Sequence, residues 1–579
     1  MRSIKYIFLL LIIVFQSCQD DVLERSPLDK IPGGDVWNDE IMMNAYVTNL
    51  YSRFPFFAFE QQSWYNWTDE GTMSTGNSSN ITLGTVGRSS EGGPFWDYSY
   101  IRDLNVFLEE VGPSTISESV KKQLEGEVRF IRAFTYFEMM KRYGGVPLVD
   151  VVIDPFNTID KKYTVRATEE AIADFIESEL TTASGLLTDA ATPKGRVNKW
   201  TAQALKARAM LWAASIATYG TVELDGLVGI PSGKADAYYA KAIEAADAVI
   251  NSMKYALYNP VPGNKSENYR KLFLIESNSE VIFEKPYDGV NVGHAWDAWV
   301  GPNQWAARGG QGDPMLEFIL GYENIDGSAD QPVFGLGQLY TNGAEPFVKK
   351  DPRLFATVFF QGDAWASGTV QTYEGLDPSL IPTPVAVIRN PNSSHEGIPA
   401  IGLDSRSLTK DDFSTNSGFH IKKYVDDTAI KIPDGQSKSN WIVFRLAEMY
   451  LTKAEAEFEL GNLTDAVEAL NMTRDRAGIS LVDEATITLD KLRTERRSEL
   501  GFEGGHRYWD LRRWRTAQSV LNKRFQGLQI IFHYESGQYY FIPFNCESFT
   551  RVFRQEHYYN PITDSRIDNN PDLIENPLY

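Results

Sequence analysis

The sequence predicts a mainly α protein in which a helical scaffold carries a loop-rich lobe of short strands. Three observations lead there. Long stretches toward both ends of the chain repeat their apolar residues at helical spacing. Residues 255–440 lose that period, with frequent Gly, Pro, Asn and Asp and short apolar runs such as Val281-Ile282-Phe283. One helical stretch is also rich in alanine, with Ala202, Ala204, Ala207, Ala209, Ala213 and Ala214, so a neighbouring helix can approach closely.

Taken in order, residues 37–54 read as a helix that Phe54-Pro55 ends. Residues 56–99 alternate Gly, Ser, Thr and Asn with aromatics and keep no period. That is a long ordered loop, and such loops tend to be functional. Over 100–145, Leu124, Val128, Ile131, Phe134, Phe137, Met140 and Tyr143 fall on one helix face. Thr115 and Glu118 have capping-box spacing, and Tyr143-Gly144-Gly145-Val146-Pro147 stops the helix. Helical patterns return at 166–187, 198–219, 234–253, 442–477 and 489–524. Within 442–477, Ala454, Phe458, Leu460-Gly461 and Ala466 resemble part of a tetratricopeptide helix pair, where small residues sit at the crossing. Residues 530–544 read as a hairpin turned at Ser536-Gly537, and 570–579 as a surface strap.

At the N-terminus, Arg2 and Lys5 precede an apolar run over 7–15, shorter than the ~20 residues of a membrane span. Ser17-Cys18 follows. This order predicts an export signal over 1–17, a lipidated Cys18, a polar tether over 18–36 and a single domain over 37–579. Phe15-Gln16-Ser17-Cys18 resembles a loose lipobox. Gln19-Asp20-Asp21 resembles the signal that sends lipoproteins of Bacteroidetes to the cell surface. An ordinary secretory peptide with an incidental cysteine is the alternative. With Cys18 acylated, a disulfide framework is excluded and Cys546 reads as a small buried apolar residue.

The 579 residues are 43% hydrophobic and 23% charged, the balance of an ordinary globular protein, and no low-complexity tract appears. The net charge of −21 repels phosphate backbones and anionic lipids, so nucleic acid is excluded as a partner and a neutral ligand fits better. Catalytic patterns are missing. The six histidines form no His-x-x-x-His pair, and no Gly-x-Ser-x-Gly elbow occurs. Gly229-Ile230-Pro231-Ser232-Gly233-Lys234 is one residue short of a P-loop, with Ala235 where a hydroxyl is needed. No catalytic residue, metal or cofactor is therefore expected. Glu276, Glu280, Glu284 and Asp288 share helical spacing, but Val281-Ile282-Phe283 argues for a strand, and the four read as solvated charge. With 77 acidic residues a carboxylate pair can always be nominated, so a surface glycoside hydrolase stays open as an alternative.

Thirteen tryptophans are the strongest functional signal. Trp37, Trp200, Trp212, Trp441, Trp509 and Trp514 lie in helical patterns and read as core. Trp64, Trp67, Trp96, Trp296, Trp299, Trp305 and Trp365 lie in loop-like stretches, beside Asn66, Asp69, Asp297 and Asn303. A sugar ring has a C–H face that stacks on an aromatic and a hydroxyl rim that bonds amides and carboxylates. The expected glycan site therefore draws on Trp67, Trp296, Trp299, Trp305 and Trp365, then Trp64, with Asn66, Asp69 and Asn303 as polar partners. Any one of these tryptophans could instead pin a long loop onto the core.

Several blocks resemble a known family. Glu127-Val128-Arg129-Phe130-Ile131-Arg132-Ala133-Phe134, Tyr136-Phe137 and Tyr143-Gly144-Gly145-Val146-Pro147-Leu148 resemble the N-terminal signature of SusD/RagB lipoproteins, with Trp96, Tyr100, Ile101 and Asn105 before it. Arg445-Leu446-Ala447-Glu448-Met449-Tyr450-Leu451, Ala454-Glu455-Ala456 and the run from Glu495-Arg496-Arg497 to Trp509-Asp510-Leu511-Arg512-Arg513 resemble later blocks. The closing Asn576-Pro577-Leu578-Tyr579 resembles the usual Asn-Pro-Gly-Tyr end, with Leu578 in place of Gly. The resemblance implies a scaffold of tetratricopeptide-like pairs with a loop-rich lobe packed on it. It also implies oligosaccharide capture without turnover on the extracellular face of the cell outer membrane, and delivery to a SusC-like TonB-dependent transporter. It makes Trp96 structural and implies ion pairs between helices from Arg129, Arg132, Glu499, Arg507 and Asp510. A tetratricopeptide-like protein-interaction scaffold is the remaining alternative.

Overall fold

The computed structural model describes residues 36–59, 63–74, 76, 78–154, 156–310, 312–366, 368–375, 393–395, 397–406, 414–426, 428 and 430–579. The export signal, Cys18 and nearly all of the tether lie outside them.

Helix α1 (Glu40–Ser52) starts where the Asp39 carboxylate accepts the Ile41 and Met42 N–H groups at 2.8 and 2.9 Å. Residues 100–145 are two helices, α2 (Tyr98–Val111) and α3 (Glu118–Tyr143). The capping box expected from Thr115 and Glu118 is not formed. Ser117 is the N-cap, its hydroxyl donates to Glu40 at 2.6 Å, and Thr115 donates to Asn38 at 3.0 Å, so the start of α1 holds this turn instead. The end of α3 follows the sequence expectation. Gly144 has φ +73°, and a Cβ on Gly145 would fall on the Ala167 carbonyl oxygen, so neither position accepts a side chain.

Helices α4 (Glu169–Leu186), α5 (Lys199–Tyr219) and α6 (Ala235–Ile250) continue the scaffold. Each of α3 to α6 packs on the next. The six alanines named in α5 are all fully buried, which lets α4 and α6 close in from its two sides. After the short helix α7 (Lys265–Leu272), strand β1 (Val281–Lys285) pairs antiparallel with β2 (Trp441–Arg445). The stretch 442–477 therefore opens as a strand, because Trp441-Ile442-Val443-Phe444 is buried on both faces. Helices α8 (Leu446–Glu459) and α9 (Leu463–Ala477) follow as an antiparallel-type pair joined at Leu460-Gly461, and α8 also packs on α6.

Residues 489–524 break into α10 (Leu489–Leu500), α11 (His506–Arg513) and a short turn. The break falls at Gly504-Gly505, with φ +50° and +69°, where the backbone lies against the Trp64 ring. The expected hairpin is β3 (Gln526–His533) with β4 (Gln538–Asn545). The C-terminal strap is docked more deeply than a surface segment. Asn576 is buried, accepts from Arg166 at 2.8 Å and donates to the Tyr143 and Asn560 carbonyls.

Charged side chains join lobe to scaffold. Arg445 binds Glu280, Glu499 and Glu503 at 2.5–2.8 Å, and Arg353 binds Asp351, Glu495 and Glu499 at 2.6–2.7 Å. Arg476 bridges Glu280 and Glu499. Every one of these groups is buried. Glu280 thus departs from the solvated charge expected of it, because Arg445 and Arg476 close over it, and Glu284 is also buried. Arg129 and Arg132 of α3 reach Glu179 of α4, Arg507 reaches Asp69, and Asp510 binds Arg496 and Arg513. Cys546 is buried with its thiol pushed up by burial, as expected of an apolar residue.

Candidate ligand-binding surface

The loop tryptophans separate by burial. Trp64, Trp296, Trp305 and Trp365 are 1–7% exposed and present almost no ring to solvent, whereas Trp67, Trp96 and Trp299 are half-buried. Trp64 packs edge-on against Trp67 and Tyr508, and Trp365 against Phe359. Asn66 is fully buried. Asp69 is fixed by Arg507 at 2.8 Å and Arg497 at 3.1 Å. Burial alone would raise the Asp69 carboxyl, but those two guanidiniums hold it well below the usual range. The same burial, with the Asp69 charge beside it, pushes Glu70 up to about 7.

One surface gathers aromatic and polar groups. A helical turn, Trp296–Trp299, seats Trp296 in the core, where its indole N–H donates to the Lys423 carbonyl at 2.9 Å. Three residues on, Trp299 faces partly outward, and its N–H donates to Asp434 at 2.7 Å. Arg308 pairs with Asp434 at 2.9 Å and lies 5.6 Å from the Trp299 ring centre. The chain returns to Trp299 because the Arg308 and Gly309 N–H groups both donate to the Ala298 carbonyl. Asp297 anchors the turn beneath. It accepts the Asp426 N–H at 2.7 Å, and burial pushes its carboxyl up to about 6.

Asn303 and Trp305 follow on the same segment. Both polar atoms of the half-buried Asn303 amide are buried without a hydrogen-bond partner among the described residues. Both atoms are closed to solvent, so a buried ordered water is the partner that such an amide suits. Gln304 beside it is tied to Asp404 through its backbone and side chain, at 3.0 and 2.7 Å. The result at Trp299 is a fixed indole with a guanidinium and a carboxylate beside it. That set can stack on a ring and bond its rim. Arg308 and Asp434 were not singled out in the sequence. Pro433-Asp434-Gly435 marks a turn, but nothing in it indicates that the turn meets Trp299. No cluster of metal-ligating side chains occurs among the described residues.

A sequence profile described as "SusD family" matches residues 279–579, just over half of the chain. The chain belongs to the SusD family. A second profile, described as "Starch-binding associating with outer membrane", matches residues 39–211 of this SusD-family protein. It is similar to SusD-like protein P38 of Formosa agariphila, with 24% identity covering 90% of this chain and 92% of that one. A solved SusD-like protein from Bacteroides fragilis superposes with a TM-score of 0.72 at 25% identity, covering 96% of this chain and all of the other. Surface glycan-binding protein A from Bacteroides thetaiotaomicron shares the fold, with a TM-score of 0.60 at 19% identity over 94% of this SusD-family chain and all of its own.

Proposed function

We propose that this protein captures neutral oligosaccharides or polysaccharides at the outer cell surface, without turnover, and delivers them to a SusC-like TonB-dependent transporter. The observation that carries the binding step is the half-buried Trp299, braced by Asp434 and flanked by Arg308. The relative named as a surface glycan-binding protein supports the ligand class. The profile described as associating with the outer membrane supports the location, and Cys18 is the residue to carry a lipid anchor. The acidic net charge supports a neutral ligand.

The test is affinity electrophoresis of the wild-type chain and Trp299→Ala through gels containing laminarin, starch, xylan or mannan. Wild type should be retarded by at least one polymer, and Trp299→Ala should lose most of that retardation. A stacked ring contributes about 0.5–1.5 kcal/mol, so a roughly 2- to 10-fold loss of affinity is expected. Retardation unchanged in Trp299→Ala would move the site elsewhere. Release of soluble sugars from any of the four polymers would replace binding with hydrolysis.

A further inference from the structure

A cleft of about 440 Å3 opens between the loop joining α4 to α5 and the strand β1, and none of the residues of the Trp299 surface lines it. Its size is that of a small-ligand site. Two half-buried rings, Trp200 and Tyr255, line it, although Trp200 reads as core from its helical position alone. The Trp200 ring is held, its indole N–H donating to the Asp189 carbonyl at 3.2 Å. The loop carrying Asp189 is itself pinned, by Lys199 N–H to Thr188 O at 2.9 Å, Thr192 Oγ1 to Arg196 O at 2.8 Å and Val197 N–H to the Tyr51 hydroxyl at 3.2 Å.

Glu284 also lines the cleft, is 7% exposed and accepts from Ser277 at 3.3 Å; burial raises its carboxyl. Lys194 and Arg196 at the cleft are matched, by Glu276 and by Glu127 at 2.6 Å, while Lys254 and Asp189, of opposite charge, also line it. The lining has no excess of one sign to select a strongly charged ligand. A polyhydroxylated ring finds two half-buried aromatic rings and a carboxyl on the same cleft.

The geometry points to this cleft as a second binding site for a neutral oligosaccharide, with a sugar face on Trp200 or Tyr255 and hydroxyls donating to Glu284. The inference rests on the glycan-binding reading and adds a site to it. Two sites on one chain allow a single polymer to bridge them, and the second contact then forms at high effective concentration.

Calorimetry decides it. The titrant is a short oligosaccharide cut from whichever of laminarin, starch, xylan or mannan retards the wild-type chain. Two sites per wild-type chain are expected, one in Trp299→Ala and one in the Trp200→Ala/Tyr255→Ala double variant. The double variant should also bind the parent polymer at least about tenfold more weakly. Glu284→Gln, which keeps the shape of the cleft, stands in if the double variant melts early. A single site in wild type that disappears in Trp299→Ala overturns the second site and leaves the first intact. A single site lost only in the cleft variants supports the cleft and overturns the Trp299 platform. Retardation by none of the four polymers overturns both.

Discussion

Leu578 is the non-glycine residue nearest the C-terminus with positive φ, at +73°. Its side chain is 71% exposed, so little packing offsets the backbone strain. Leu578→Gly should raise stability by about 1 kcal/mol, since a non-glycine residue in the left-handed region costs about that much. An unchanged urea midpoint would show the strain to be absent. Glu70 makes a pH prediction. Its folded carboxyl sits at about 7, raised by burial and by Asp69, above the unfolded value of 4.5. Between those values the folded state holds more protons than the unfolded one, so stability from this group is fully present below pH 4.5 and is lost as pH rises through 7. Glu70→Gln should remove that loss, a gain on the order of 3 kcal/mol at pH 8 and much less at pH 4.5. Urea midpoints of both proteins at the two pH values check the sign.

Elements are joined by the buried guanidiniums. Arg445, the last residue of β2, holds Glu280 beside β1, Glu499 on α10 and Glu503 in the loop after it. Removing one partner leaves carboxylates buried and uncompensated. Arg445→Met should destabilise the fold by about 3–5 kcal/mol, although the methionine fills much of the same space. A loss below about 1 kcal/mol would mean that water or repacking replaces the guanidinium. Glu499 works in the opposite pH direction from Glu70. Burial would raise it, but Arg476, Arg445 and Arg353 hold it well below the usual range. Its contribution is present above the unfolded value of 4.5 and is lost only as pH falls through the depressed folded value.

At the scale of the whole molecule, no helix among the described residues is long and apolar enough to cross a membrane. The proposed delivery to a transporter predicts a stable membrane complex. Solubilising the outer membrane in mild detergent and pulling on a tagged chain should recover a SusC-like barrel with it. Recovery of the tagged chain alone, while other outer-membrane complexes stay intact, would count against delivery. Cys18→Ala should abolish lipid labelling and surface display without changing the melting temperature, because the anchor precedes the folded domain in the chain.

The helical scaffold was legible in the sequence because its information is local. The faces of α3, the alanines of α5 and the Gly144-Gly145 stop each act through spacing or backbone conformation within a few residues. The family signatures also read directly, as does the presence of aromatic-rich loops. Tertiary structure alone decided which of those aromatics face solvent. Trp296 and Trp299 share a helical turn and nearly the same neighbours in sequence, yet one donates inward to Lys423 and the other outward to Asp434. It also made Trp441–Arg445 a strand, put Glu280 among arginines from distant segments, and brought Arg308 and Asp434 to Trp299. Each of those outcomes depends on what packs across a long stretch of chain. Local period carries no information about that partner, so burial and pairing are fixed only when the lobe closes on the scaffold.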